Sequence, residues 1–423
     1  MRRRSVLAGA LGAVGWAACG SSGGPALWFS YGGKNREALL ALVERHNREQ
    51  PAHAVTPVFQ GDYFELLAKL RTAIHAGAPP AITHVVGEVL PYLASAGVLE
   101  PLDAAIAGAT DGPSEWLSDA ERRDFVPALT QEGAFDAPRG TPTYGIPFNR
   151  STPIAYLNGD ILGELGLDPP KTWDELRELA RAASRGGGEG ARRGFACPID
   201  WWMWVALVGQ TGGDLVEGDR ITLGGEAGIR AVSLWKDLAA SGHMTLPAGR
   251  DYNAWTVTNT EFLAQRAAMI WTSTAFVRYF EENAKFPVVA APLPRDARFA
   301  VPTGGTFFVA PKGAPAEHRA AAASFLSFMS RADTTNEFAT KTGYIPTTKA
   351  GVAELERTRF YDAHPNDRVA VRQLESVRPW PWHKDLFRIQ REIVQPRLES
   401  AVLGGADARA TLEEARRAAE TEL

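Results

Sequence analysis

The sequence predicts a two-lobed α/β protein in which strands and helices alternate. Three observations carry that prediction. Short apolar strands, Ala26 to Ser30, Val55 to Phe59 and Ala81 to Val86, are separated by helix-period segments, the pattern of a largely parallel sheet with helices on both faces. The chain has 423 residues, and the roughly 400 beyond its first segment are too many for one hydrophobic core. The early strands run into the polar turns Gly61-Asp62-Tyr63 and Gly87-Glu88, at the sheet edge where such folds bind ligands.

The first residues read as an export leader. Arg2, Arg3 and Arg4 precede a mostly apolar run of 13 residues, Val6 to Ala18, and then Cys19. A membrane-spanning helix needs about 20 residues, so the run is a signal rather than an anchor. Arg3-Arg4-Ser5-Val6-Leu7 also has the look of a twin-arginine leader. Ala17-Ala18-Cys19 resembles the end of a bacterial lipobox, with Trp16 where an aliphatic residue is usual. Cys19 is therefore a candidate lipid anchor, and a plain cleaved leader is the alternative. Gly20 to Pro25 is a flexible tether by composition. It spells G-x-S-x-G, but a serine-hydrolase elbow needs a strand before it and a helix after it.

Composition narrows the function. Hydrophobic residues at 45% and charged residues at 22% are ordinary for a soluble globular protein. The formal net charge of −4 becomes three units more negative once Arg2, Arg3 and Arg4 leave with the leader. A mildly acidic chain with no basic block gives no reason to expect nucleic acid. Of the two cysteines, Cys197 has no partner if Cys19 is processed, and it reads as a small buried residue. No zinc, P-loop or dinucleotide pattern is present, so neither metal nor cofactor is expected.

The remaining elements are read in chain order. A helix runs from about Arg36 to Glu49, with Leu39, Leu40 and Val43 on one face, and a second carries Phe64, Leu67, Arg71 and Ile74. Thr172-Trp173-Asp174-Glu175 reads as a capping box that opens a helix with Leu176, Leu179 and Ala180 inward. Ala267 to Thr272, Val288 to Ala291 and the segment after Gly304-Gly305 read as strands. Glu317 to Met329 reads as a helix, and the stretch from Arg388 onward is helical. The expected organisation is leader and tether over 1–25, one lobe over 26–143 plus 285–330, and the other over 144–284 plus 331–423.

Three clusters carry candidate function. Trp201-Trp202-Met203-Trp204 places Trp201 and Trp204 three apart, on one helical face. Two indoles on a cleft wall would cover the C–H surface of a polyol while their N–H groups donate to it; the competing reading is a core strip. Ile146 to Pro153 is a proline-bounded turn offering Ser151 and Thr152. Thr342-Gly343-Tyr344-Ile345-Pro346 combines a glycine bend with a phenol hydroxyl. Alone, each of these two turns is equally a structural element.

Together with Gly61-Asp62-Tyr63 and Gly304-Gly305, in this order along most of the chain, these segments resemble the extracellular solute-binding proteins of bacterial ABC importers, in the branch that includes carbohydrate binders. The match is best to members that take phosphorylated glycerol. The resemblance implies a hinged two-lobed periplasmic-binding-protein fold with its ligand in the interlobe cleft, and delivery to a membrane permease by an exported monomer. It implies that Tyr63 and Tyr344 are polar contacts and that Glu88 holds the glycerol hydroxyls. Ser151, Ser273 and the Gly305 amide would donate to phosphate, Trp201 and Trp204 would form the indole pair, and Arg391, or alternatively Arg388, would pair with phosphate. Trp202 and Trp271 would narrow the pocket. Physical chemistry agrees: a phosphate needs strong donors and a fixed positive charge, which arginine supplies bidentately. The expected ligand is glycerol 3-phosphate or a glycerophosphodiester such as glycerophosphocholine. A sugar or oligosaccharide is the alternative in the same class. An exported hydrolase is the alternative from another, for which the sequence supplies neither clustered metal ligands nor a recognisable carboxylate pair.

Overall fold

The computed structural model describes residues 24–106, 113–130, 142–187, 190–218, 220–245, 247, 253–378 and 380–421. The leader and the candidate lipidation residue Cys19 lie outside these. Twelve strands are present among the described residues: β1 Ala26–Phe29, β2 Thr56–Phe59, β3 Ile82–Val86, β4 Ile146–Pro147, β5 Pro153–Asn158, β6 Arg193–Ala196, β7 Val216–Glu217, β8 Arg220–Ile221, β9 Met244–Thr245, β10 Ala267–Ser273, β11 Val288–Ala291 and β12 Thr306–Val309. They form one five-stranded sheet in the order β2-β1-β3-β12-β4, a second in the order β11-β5-β10-β6-β9, and the small ribbon β7-β8. No described helix is long and apolar enough to cross a membrane.

Period-two alternation gives each sheet two covered faces. In the first sheet, Leu27, Phe29 and Phe308 pack with Leu39 of the helix Gly33–Glu49 and with Phe325 and Phe338. Phe307 and Val309 face the other way, onto Leu66 and Leu70 of the helix Tyr63–His75. In the second sheet, Leu157, Phe195, Met269 and Trp271 meet the helices Trp173–Ala183 and Trp201–Gln210, while Tyr156 and Ile270 meet Phe262 and Phe280. Cys197 is fully buried in the former core.

Local chemistry starts the helices. Asp62 and Glu65 form a reciprocal capping box, as do Ser118 and Glu121. At Thr172 only half of the expected box forms. The Thr172 hydroxyl accepts from Glu175 N at 3.2 Å, but the Glu175 carboxylate turns to the amide of Lys171 at 2.6 Å.

Sheet membership differs from the sequence boundaries in three places. β4 pairs with β12 and so belongs to the first sheet, although the sequence pattern puts residues from 144 onward in the second lobe. β11 pairs with β5 of the second sheet, although 285–330 is expected in the first lobe. The helix Ala332–Thr342 packs through Phe338 into the first core. Both sheets are mixed rather than largely parallel. β1, β2 and β3 are parallel, whereas β12 runs antiparallel to β3. The cause is the crossing of the chain: β12 returns from the other sheet and enters at the edge where β3 ends, with Thr306 opposite Val86.

The crossings are laced together by backbone bonds. Ser151 N donates to Gly304 O at 3.1 Å, Gly304 N donates to Ser151 O at 2.8 Å, and Ile345 N donates to Arg150 O at 2.9 Å. Gly305 makes this possible. Its φ is +89°, and a Cβ there would lie 1.9 Å from Asn149 O. Gly305→Ala should therefore destabilise the protein by about 2 kcal/mol or more. Gly97→Ala, at φ +70° with nothing within 4 Å, should cost about 1–2 kcal/mol for its backbone alone. Urea unfolding of the two variants measures the difference.

Candidate functional site

The edges of the two sheets face each other across a cleft of about 390 Å³, within the size range of small-molecule sites. The first sheet contributes the residues at the ends of its strands: Ser30 and Tyr31 after β1, Asp62, Tyr63 and Phe64 after β2, Glu88 after β3. The crossings contribute Ser151, Gly304 and Gly305. The second sheet contributes Ser273 at the end of β10 and Asp200 on the loop after β6. Trp202, Trp255, Phe276, Tyr344, Gln390 and Arg391 also line it. Seven of the nine residues expected at the site thus line one cleft: Tyr63, Glu88, Ser151, Ser273, Gly305, Tyr344 and Arg391.

A directed hydrogen-bond chain fixes one wall. Burial pushes the His84 imidazole down to about 3, so the ring is neutral. Its Nε2 accepts the Ser30 amide at 2.8 Å, which leaves the proton on Nδ1, and Nδ1 donates to Thr306 Oγ1 at 2.8 Å. The Thr306 hydroxyl and amide both donate to Asn149 Oδ1, the amide at 2.8 Å. That sets the orientation of the Asn149 amide, whose Nδ2 donates to the Tyr63 hydroxyl at 3.0 Å. Tyr63 and Tyr344 are hydrogen-bonded to each other, and burial pushes both phenols up. Both are therefore neutral phenols at neutral pH, with the Tyr344 hydroxyl donating to that of Tyr63.

The neighbouring wall is aromatic and charged. The Arg391 guanidinium lies 3.5 Å from the centroid of the Phe64 ring. Among the described residues no carboxylate lies within ion-pair distance of it. Arg388, the alternative arginine, does not line the cleft and pairs with Glu392 at 3.3 Å. Asp200 was not anticipated from sequence. It caps the helix Trp201–Gln210 by accepting Trp202 N at 2.8 Å. Burial pushes its carboxyl up to about 6, against the downward pull of bonds from Trp202 and Trp255 and the charge of Arg391.

The expected indole pair is corrected. Trp201 and Trp204 are 1% and 0% exposed and sit in the core of the second lobe. Trp201 stacks on Trp380 at 6.3 Å, and the Trp204 indole N–H donates to Gly228 O at 3.3 Å. They do share a face, but it is the inward one. Trp202 and Val205 form the less buried face, and Trp202 meets Trp255 at 5.7 Å between ring centroids. The helix is apolar all round, so its pattern carries no inside–outside contrast. The capping aspartate was the available signal, because a residue two positions past a cap at the end of β6 sits at the cleft edge. Trp271 is also core.

One group of potential metal ligands exists among the described residues, Glu281, His364 and Asp367. Arg278 bridges its two carboxylates, reaching Asp367 at 2.8 Å, so the protein's own cation already pairs with both.

Two lobes of mixed sheet, three crossings and a polar, aromatic cleft between them define a capture site. The sequence matches the family model described as bacterial extracellular solute-binding protein over residues 41–366. The chain belongs to this family. Two relatives of this solute-binding protein, the sn-glycerol-3-phosphate-binding periplasmic proteins UgpB of Escherichia coli O1:K1 and Pectobacterium atrosepticum, are each 26% identical over 399 residues, 89% of this chain and 87% and 86% of theirs. UgpB from Mycobacterium tuberculosis in complex with glycerophosphocholine superposes with a TM-score of 0.80 at 24% identity, over 94% of this chain and 97% of that one. The GacH receptor of Streptomyces glaucescens, solved unliganded and with acarbose, gives 0.80 at 20% identity over the same shares. The fold of this solute-binding protein is thus the two-lobed one of its neighbours.

The placement of the tryptophan helix sets two expectations. Trp201→Ala should cost about 3–5 kcal/mol, and Trp202→Ala less than half of that, by urea unfolding. Asp200→Asn keeps a good helix cap and removes a titration. A carboxyl held near 6 binds its proton more tightly folded than unfolded, so it stabilises below about pH 4 and that contribution is lost as pH rises through 6. Melting curves of Asp200→Asn between pH 4 and 7 should therefore fall less steeply with rising pH than those of the parent.

Proposed function

We propose that this protein is the solute-capturing component of an ABC importer, and that its solute is sn-glycerol 3-phosphate or a glycerophosphodiester such as glycerophosphocholine. The observation that carries this reading is Arg391: a guanidinium spread on Phe64 in the cleft, with no carboxylate among the described residues to neutralise it. A cation left in this way suits an anionic ligand, and arginine's fork suits phosphate. Ser151, Ser273 and the Gly305 amide add donors without bulk, with Tyr63 and Tyr344 on the neighbouring wall and Glu88 for hydroxyls. The names of the sequence relatives support the same chemistry.

Capture is the whole function on this reading. The ligand bridges the two lobes, they close about the crossings, and the closed form is what the permease meets. An exported protein tethered through Cys19 fits that task. Sugar binding is the second reading, favoured by the aromatic wall and by a structural neighbour solved with acarbose.

Isothermal titration calorimetry with glycerol 3-phosphate, glycerophosphocholine and a sugar panel separates the readings. Heat with the phosphate esters supports the first, and heat with sugars alone overturns it. Arg391→Ala should weaken a phosphate ester by about 2–5 kcal/mol and leave a neutral sugar nearly unchanged. Overnight incubation with glycerophosphocholine should release no choline, whereas released choline would mark a hydrolase.

A further inference from the structure

We propose that Tyr31 is a solute-binding residue, its phenol hydroxyl bonding a hydroxyl oxygen of the captured molecule. This rests on the phosphate-ester reading above and goes further by adding a contact for the uncharged end of the solute.

Tyr31 follows β1 and lines the cleft. Its backbone is left-handed, with φ at +75°, a conformation disfavoured for a bulky residue with a Cβ. The bonds around it hold it there. Its amide donates to Gly61 O at 3.3 Å, Ser30 N donates to His84 Nε2 at 2.8 Å, and the Ser30 hydroxyl donates to Asp62 O at 3.1 Å. Gly32 and Gly33 come next in the chain, yet the left-handed position before them holds a tyrosine. Glycine would serve the turn at lower cost. A residue kept in such a conformation beside a cleft points to a use for its side chain.

Packing accounts for the ring but not for the hydroxyl. The ring meets His84 at 5.2 Å, Tyr63 at 6.2 Å, Phe29 at 6.4 Å and Phe148 at 6.5 Å between centroids. Phenylalanine would make the same ring contacts. The hydroxyl oxygen is buried and has no hydrogen-bond partner among the described residues, whereas the large majority of buried polar atoms in folded proteins are bonded. Burial, with Tyr63 and Tyr344 close by, pushes the phenol well up. At neutral pH the group therefore offers one proton and a lone pair. The space it borders is the cleft, so the partner that completes it is the solute.

The kind of oxygen follows from the surroundings. The four rings around Tyr31 carry no net charge, His84 being held neutral by its burial. A phenol among neutral rings competes poorly for phosphate with a guanidinium, whose bonds are charge-assisted and bidentate. A hydroxyl needs one donor or one acceptor of ordinary strength, and the phenol supplies either. Tyr31 thus serves the hydroxyl end of the solute, while Arg391, laid on Phe64, takes the phosphate.

The test is Tyr31→Phe, which keeps the ring and removes only the hydroxyl. Calorimetry at pH 7.5 measures glycerol 3-phosphate directly. Propyl phosphate, which has the phosphate but neither hydroxyl, is measured by displacement of glycerol 3-phosphate. The variant should bind glycerol 3-phosphate roughly fivefold to thirtyfold more weakly, and propyl phosphate within about twofold of the parent. Without solute it should melt at the parent's temperature or above, because it has lost a buried hydroxyl that the fold does not bond. Unchanged affinity for glycerol 3-phosphate, or an equal loss for both esters, would overturn this inference while leaving the phosphate-ester reading standing. So would a solute-free variant that melts well below the parent, since the hydroxyl would then have its partner within the fold. No heat with glycerol 3-phosphate in the parent protein would bring down that reading and this one together.

Discussion

The pairing of Ser151 with Gly304 is the constraint on which the cleft depends. Two mutual backbone bonds, at 3.1 and 2.8 Å, join the crossing that leaves the first sheet to the crossing that returns to it. Gly305 stands beside that pair in a left-handed conformation, with its α-carbon pressed toward the carbonyl of Asn149. Asn149 in turn accepts from Thr306 and donates to Tyr63. The segments that join the lobes are therefore the ones that place the donors. Ser151 and Gly305 are both crossing backbone and cleft lining, so a change in lobe angle has to change the donor geometry as well. In a fold of this kind, capture and closure are one physical event rather than two.

The same economy explains the aromatic wall. Trp202 lies close against Gly304, where an added Cβ would come 2.5 Å from its ring. Its indole N–H is tied to the carbonyl of Thr303, as is that of Trp380 from the other side. Trp202 is thus braced on the crossing itself before anything binds. Preorganisation of this sort lowers the entropy lost on binding.

Much of this was legible in the sequence, for reasons that can be named. Strands β1, β2 and β3 announce themselves by apolar runs that end in polar turns, and the turns proved to be the cleft edge. Tyr63, Glu88, Ser151, Ser273, Gly305, Tyr344 and Arg391 were expected from the family resemblance and all line the cleft. Whatever depends on long-range topology was not legible. The boundary at residue 144 could not anticipate that Ile146-Pro147 would add to the first sheet, because a two-residue strand has no periodicity. The tryptophan cluster misled because apolar residues on every side erase the pattern that tells one face from another. Asp200 and Trp255 went unnoticed because nothing local distinguishes a carboxylate that caps a helix from one that also faces a ligand.

The choice between Arg388 and Arg391 shows what a local distortion can decide. Three residues apart on a regular helix they would share a face, and both would reach the cleft or neither would. The segment Ile389–Val394 is instead a π-helical turn. Its extra residue per turn rotates the C-terminal side of the helix relative to the N-terminal side, a device often found where a helix meets a binding site. Arg388 is left beside Glu392, while Arg391 swings onto Phe64 and into the cleft. The rest of the chain is acidic, and beyond about 10 Å its charge is screened in salt. On the proposed reading, selection of an anion rests on one guanidinium in the cleft. The turn that aims it does more for specificity than the net charge of the protein.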